Sequence, residues 1–458
     1  MPLDLSGLRD AFRGTIVTPF DPDYEGVRVV FNNRVRTRPS VICRCRDTED
    51  VVTAVRFARE AGLPVSIRGG GHHACGYSLV DDGLVIDVRG LGRISFDPGA
   101  ATVVAGAGCG WRDVDQVTYV GHGYAAPGGE CPTVGNAGYS MGGGYGFLSR
   151  RYGLACDHIL AAELVDADGR VLRVTEDEHP DLLWALRGAG GAGFGVVTRL
   201  KYRLDPVPRT IFGGAIAWPL DDAEAVFRAY RDMYVGREED RLSLYLALMA
   251  EPYPHGQPVL MAYGMHVGPP DGADKQLAPL RAAAGEPVFD TFGLMSYYDL
   301  QQALGSEIMY GLQLKWRGGF FREGGFGDQA FASIVDAFRH VPSGYSMARF
   351  DLLGGGAIGA VAADATAFVH RSSMFNISII AQWVRGNETE ANLRWTEELM
   401  IALAPHLSGE VYQNYADEEL EDWPSAYYGT NYARLQEVKR RYDPADFFHH
   451  PQSIRLPE

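Results

Sequence analysis

Between residues 37 and 204 the spacing of apolar positions changes several times, and each change predicts a new element. RPSVICRCR (38–46) is short and rich in apolar residues, as a buried strand requires. TEDVVTAVRFAREAG (48–62) has helical spacing; Thr48 opens it as the cap of an imperfect capping box, with Val51 where Glu belongs, and Gly62 closes it. LPVSIR, GLVIDVR and ATVVAGAG read as strands, and a helix follows from Trp111 to about Tyr119. ILAAELVDADGRVLRVT predicts a hairpin turning at Asp168-Gly169. LLWALRGAGGAGFGVVTRLKYRL reads as helix, glycine loop and strand.

Around DPVPR (205–209) the texture changes. Long strands then alternate with amphipathic helices such as DDAEAVFRAYRDMY and GDQAFASIVDAFRHV. The tail carries one more helix, NYARLQEVKRRY, a DP stop and the aromatic FFHHPQSI. The expected division is a first domain over 1–205, a second over 206–414, and a segment 415–458 returning to the first. A chain of 458 residues is long enough for that arrangement.

Charge narrows the function. The net charge is −16 and the only lysines are Lys201, Lys275, Lys315 and Lys439, so no basic stripe is available for nucleic acid. No apolar run approaches membrane-spanning length and no leader pattern opens the chain, which suggests a cytoplasmic protein. Oligomeric state is left open. The six cysteines all lie in the first third and read mostly as small buried hydrophobes.

Glycine is the informative residue: the clusters before residue 200 mark backbone that turns tightly or approaches a ligand. A P-loop is excluded because no Gly-Lys pair exists. A dinucleotide fingerprint needs a helix after the glycines, and HHACGYS has no helical period. What remains for Gly69, Gly70 and Gly71 is a strand-end loop that turns its backbone to a pyrophosphate, with Arg68 adding charge. GYSMG (138–142) matches a hydrolase nucleophile elbow, but Ser140 lacks the strand before it and the helix after it. Zinc at His72, His73 and Cys75 lacks a second ligand pair, so no metal is expected.

RPSVICRCRDTEDVVTAVRFAREAGLPVSIRGGGHH, GLVIDVR, GGECPTVGNAGYSMGGGYGFLSRRYGLACDHI, HPDLLWALRGAGGAGFGVVT and the tail from VYQNYADEEL to FFHHPQSI occur in one order over almost the whole chain. In this they resemble the berberine-bridge-enzyme-like flavoproteins of the vanillyl-alcohol-oxidase/p-cresol-methylhydroxylase fold. The resemblance implies an α+β protein: a two-part FAD-binding domain of p-cresol-methylhydroxylase type, and a substrate domain whose antiparallel sheet is covered by helices. It implies FAD held covalently by His72 at the 8α position and by Cys131 at C6. Arg68, Gly69, Gly70 and Gly71 would take the pyrophosphate, and Gly135, Gly138, Gly143, Gly195, Val196 and Asp446 would continue the cofactor surface. His73 stands where members vary and receives no role. Gly193 and Asp446 replace asparagines that members usually carry.

The resemblance also implies the reaction: hydride removal from a small molecule with transfer of electrons to O2, giving hydrogen peroxide. Tyr415 would be the base, with Asp351 as its partner, and Val134 would leave oxygen room at the flavin. Sugar or other alcohol substrates are expected; amine oxidation and oxidative cyclisation are alternatives on the same scaffold. Counting along the strand after FDLLGGG puts Ala360 where cyclising members carry glutamate, which argues against cyclisation. Aromatic residues suit a substrate wall. Tyr139, Tyr297, Tyr298 and Tyr310 are candidates, together with Trp316, Trp383 and Tyr412.

Overall fold

The computed structural model describes residues 3–236, 240–251, 256–270, 272–304 and 311–457. Among the described residues, three sheets of four or more strands organise it, beside a two-stranded pairing of Tyr124–Ala125 with Asp205–Pro206. The first orders Thr15–Val17, Val41–Arg44, Leu84–Asp87 and Val65–Arg68, the last three strands running parallel. Both faces of such strands are covered, which is why VIC and LVI read as unbroken apolar runs. The second sheet is antiparallel: Ile94–Asp97, Thr102–Gly106, Val196–Arg203, Ile159–Val165 and Val171–Val174.

The helix between the first strands spans Thr48–Glu60, and its cap is Asp47, whose side chain accepts from Asp50 N. The cap therefore lies one residue before the expected Thr48, because a carboxylate two residues ahead of Glu49 reaches the open backbone N–H first. Gly62 ends the helix with φ of +64°. The expected helix from Trp111 is α-helical only to Asp115 and then widens into a π-turn over Gln116–Val120. The glycine-rich passage holds a short helix that the sequence did not announce, Asn136–Met141. Tertiary contacts hold it: Asn136 donates to the Gly106 and Cys109 carbonyls at 2.8 Å each, and the Tyr202 hydroxyl donates to Asn136 Oδ1 at 2.8 Å.

The third sheet is antiparallel and orders Phe289–Asp290, Ile211–Pro219, Val259–His266, Leu242–Met249, Met347–Leu352, Phe375–Trp383 and Gln313–Phe320. Helices Ala223–Tyr234, Asp328–Arg339 and Thr389–Leu403 cover one face; Phe350, for example, meets Phe227 at 4.9 Å between ring centroids. The other face carries Arg349, Asp351, Ile380 and Gln382. Strand alternation separates the two sets completely.

One apolar core joins Val41, Ile86, Leu164 and Leu182 to tail residues Trp423, Leu435, Val438, Phe448 and Ile454. A second fills the space between the large sheet and its helices, and takes in Tyr119, Tyr145, Phe147 and Leu154 from the first two hundred residues. All six cysteines are free thiols; Cys43, Cys45, Cys109 and Cys156 are buried, Cys75 and Cys131 half-buried. Among the described residues no helix is long and apolar enough to cross a membrane.

Candidate active site

A cavity of about 750 Å³ runs between the glycine loops and the open face of the large sheet. Its walls include Gly69–Gly71, His72 and His73 from the loop after Val65–Arg68, then Gly129–Cys131, Val134, Gly135 and Gly138. Gly188–Gly193, Gly195 and tail residues Phe448, His450 and Gln452 close another side. The sheet end is formed by Trp316, Arg349, Ile380, Gln382 and Tyr415.

Two glycines bring the loops together. A β-carbon on Gly70 would lie 2.6 Å from Gly135 N and 3.0 Å from the Thr133 carbonyl. This contact sets His72 and Cys131 on the same cavity. Thr133 stands between them: its Oγ1 lies 3.1 Å from His72 Nε2 and 3.6 Å from Cys131 Sγ. The His72 ring also stacks on Phe31 at 5.2 Å. Burial pushes the His72 imidazole down to about 4, so it is neutral at physiological pH, and burial raises the Cys131 thiol against the lowering effect of Thr133.

At the sheet end, the Tyr415 hydroxyl donates to Asp351 Oδ2 at 3.3 Å, touches the Tyr145 hydroxyl, and its ring stacks on Trp316 at 4.6 Å. Asp351 is fully buried and also meets Arg349 Nη2 (3.2 Å) and Asn376 Nδ2 (3.4 Å). Arg349 reaches on to Glu130 at 3.0 Å, joining the cysteine loop to the sheet. Burial raises Tyr415 well above the usual phenol range, and the Asp351 charge adds to the shift. Burial likewise raises Glu130 against the pull of Arg349. Tyr415 is thus a phenol at neutral pH, hydrogen-bonded to Asp351 and in contact with Tyr145.

Tyr145, Arg349 and Glu130 were missed from the sequence. A signal existed for two of them: Glu130 precedes Cys131 in the same loop, and Arg349 shares a strand face with Asp351 two residues on.

Several expected site residues lie elsewhere. The Arg68 guanidinium does not line the cavity and donates to the Val27 and Val29 carbonyls. Val196 and Trp383 fail by strand parity: Gly195 and Val197 face the cavity, as do Ile380 and Gln382, so their neighbours point away. The Trp383 indole N–H donates to Thr389 Oγ1 at 2.9 Å. Tyr297 is buried against Tyr119, its hydroxyl bonded to Gln301 Nε2 at 2.8 Å; neither it nor Tyr298 lines the cavity. Tyr310 lies outside the described residues. Tyr139 and Tyr412 do line it, but their hydroxyls bond backbone, Tyr139 to the Tyr145 carbonyl and Tyr412 to Gly144 N at 2.8 Å. Gly143 sits behind the wall, under the Phe368 and Tyr412 rings. Ala360 is exposed and off the cavity, so its identity carries no argument about cyclisation. Ser140 is buried within a helix and accepts from Tyr202 at 3.1 Å, which leaves no nucleophile elbow.

The two replaced asparagines have a joint explanation. Lys439 is fully buried and donates to the Gly193 and Phe448 carbonyls at 2.8 Å each, and to Asp443 at 2.7 Å. It also pairs with Asp446 at 2.8 Å, which turns that carboxylate from the cavity. Gly193 has φ of +99°, and a β-carbon there would meet the Phe448 carbonyl at 2.3 Å. A side chain at 193 has no room.

The cavity fits FAD. Glycine lines the walls where side chains would obstruct a flat or phosphorylated group, and among the described residues the lining carboxylates are Glu130, paired with Arg349, and Glu251, which lies against Gly344. The comparisons agree. Residues 39–175 match the family described as FAD binding domain, and 411–455 the family described as Berberine and berberine like. An uncharacterised FAD-linked oxidoreductase of Bacillus subtilis is 34% identical over 96% of each chain. (R)-6-hydroxynicotine oxidase of Paenarthrobacter nicotinovorans is 31% identical over 97% of each. The solved structure of Physcomitrella patens BBE-like 1 superposes with a TM-score of 0.91 at 26% identity over 98% of both chains. Identity at this level over nearly the full length, on a cavity walled by glycine, makes this chain an FAD-linked oxidoreductase of the berberine-bridge-enzyme-like family.

Proposed function

We propose that the enzyme is an oxidase that takes a hydride from an alcohol carbon of a small molecule and reduces O2 to hydrogen peroxide, with FAD bound covalently through His72 and Cys131. The observation that carries the reading is that Tyr415, which lines the same cavity as His72 and Cys131, hydrogen-bonds to the buried Asp351 behind it. FAD, when bound, supplies the two-electron acceptor. Tyr415 takes the hydroxyl proton of the substrate as its own passes to Asp351, whose charge Arg349 balances. Trp316 holds the Tyr415 ring in place from one face. Val134, half-buried on the cysteine loop, leaves space for O2. Sugars, glycosylated natural products and other secondary metabolites are the substrate class. Anaerobic titration of the yellow protein with sugars and secondary alcohols tests this: bleaching by an alcohol, followed by peroxide release in air, is expected. Bleaching by none of them refutes it.

The relative named (R)-6-hydroxynicotine oxidase supports amine oxidation as the second reading. An amine that bleaches the protein where alcohols do not decides for it.

A further inference from the structure

The Thr133 hydroxyl bridges the two residues expected to carry the flavin, 3.1 Å from His72 Nε2 and 3.6 Å from Cys131 Sγ. We propose that Thr133 prepares both attachments: it accepts from His72 Nε2–H, and it donates to Cys131 Sγ. The inference rests on the covalent reading above and goes beyond it, because it assigns a role to a residue that forms no bond to the cofactor.

The chemistry of a single hydroxyl leads to this assignment. As an acceptor, Thr133 Oγ1 keeps the imidazole proton on Nε2 and the lone pair on Nδ1, the tautomer in which His72 is a nucleophile. As a donor, the same hydroxyl stabilises a negative sulfur, the form in which a cysteine reacts. Donating to one neighbour while accepting from the other uses both capacities of a hydroxyl without conflict. Burial alone works against Cys131 by raising its thiol, so a donor beside the sulfur is needed.

The balance of each attachment is simple. For Cys131, one S–H bond and one ring C–H bond break and one C–S bond forms. The two electrons and two protons released reduce one O2 to one hydrogen peroxide. For His72, one methyl C–H bond and the Nε2–H bond break and one C–N bond forms between Nδ1 and the methyl carbon; the two electrons and two protons released reduce a second O2.

Thr133→Val keeps the shape and removes the hydroxyl; Thr133→Ser keeps the hydroxyl. Protein produced without flavin is mixed with FAD in air, and covalent uptake is followed by intact mass and by the tryptic peptide that joins the His72 and Cys131 segments. The Val variant is expected to form the joined peptide about 10²-fold more slowly, the low end for loss of a positioned proton-transfer group. The Ser variant is expected to behave as wild type. An unchanged rate in Thr133→Val, or a Ser variant as slow as Val, overturns the proposal. Wild-type protein that never gains covalent mass refutes the covalent reading itself, which is a separate result. A thermal melt of each variant with non-covalently bound FAD separates slow attachment from a damaged fold.

Discussion

Gly70 and Gly135 lie back to back, so that a β-carbon on the first would fall 2.6 Å from the backbone nitrogen of the second, and one on the second 2.8 Å from the nitrogen of the first. No side chain fits between these two loops, and their contact is what places His72 and Cys131 on one cavity.

Either Gly70→Ala or Gly135→Ala is therefore expected to push the loops apart. The obstruction is backbone, not a flexible side chain, so the cost is about 1–3 kcal/mol, the usual penalty for overpacking. Thermal melts and flavin content of the purified protein measure it. Gly7→Ala, in a surface helix with nothing within 4 Å, is the control and should lower neither. Wild-type flavin content in both loop variants would contradict the argument.

Double attachment predicts that acid-precipitated, washed protein stays yellow. His72→Ala and Cys131→Ala should each retain covalent flavin through the other bond, and the double variant should release it. Absorption spectra of the denatured proteins decide the matter; an unchanged flavopeptide in Cys131→Ala would rule out the thioether.

The Tyr415–Asp351 pair predicts a loss on the chemical step. Tyr415→Phe preserves the stack on Trp316 and removes only the hydroxyl, so the rate of flavin reduction should fall by roughly 10²–10⁴. Substrate affinity should change far less. Asp351→Asn should slow the same step, and the double variant should lose less than the sum, because the two are hydrogen-bonded to each other. Stopped-flow reduction of Tyr415→Phe at the wild-type rate would sink this assignment and turn attention to Tyr145.

Val134→Ile adds one methylene to the cavity wall beside the cysteine loop. It is expected to slow reoxidation of the reduced enzyme by O2 while leaving substrate reduction alone. Equal reoxidation rates in the two proteins would show that oxygen does not pass there.

Acid should weaken the fold through two cavity-wall histidines. An unfolded chain protonates histidine near 6.5, whereas burial holds His73 at about 3 and His450 at about 4. Below pH 6.5 the unfolded chain binds the extra protons, so the stability due to the neutral rings is complete above that pH and is lost as pH falls toward 4 and 3. His73→Asn, which keeps an acceptor for Cys75 N, should flatten the fall in unfolding free energy by about one proton. An identical slope for the variant would exclude His73 from the effect.

What the sequence settled by itself was local. The helix end at Gly62, the hairpin at Gly169 and the glycine clusters follow from residue type and short spacing, because glycine acts on the backbone within a turn. The family pattern extended this to the pairing of Tyr415 with Asp351, whose hydrogen bond the structure contains.

Which side chains face the cavity was a tertiary matter. Trp383 is a candidate by its aromatic type and Val196 by the family pattern, yet a strand sends alternate residues to opposite faces, and only the sheet's register shows that theirs are the wrong ones. The Arg349–Glu130 pair spans 219 positions, and no local signal links a loop residue to a strand so distant. Gly193 and Asp446 read in sequence as losses. In the fold they are consequences of Lys439, whose buried ammonium draws the Gly193 and Phe448 carbonyls and the Asp443 and Asp446 carboxylates around one charge, because a charge removed from water must be paired where it lies.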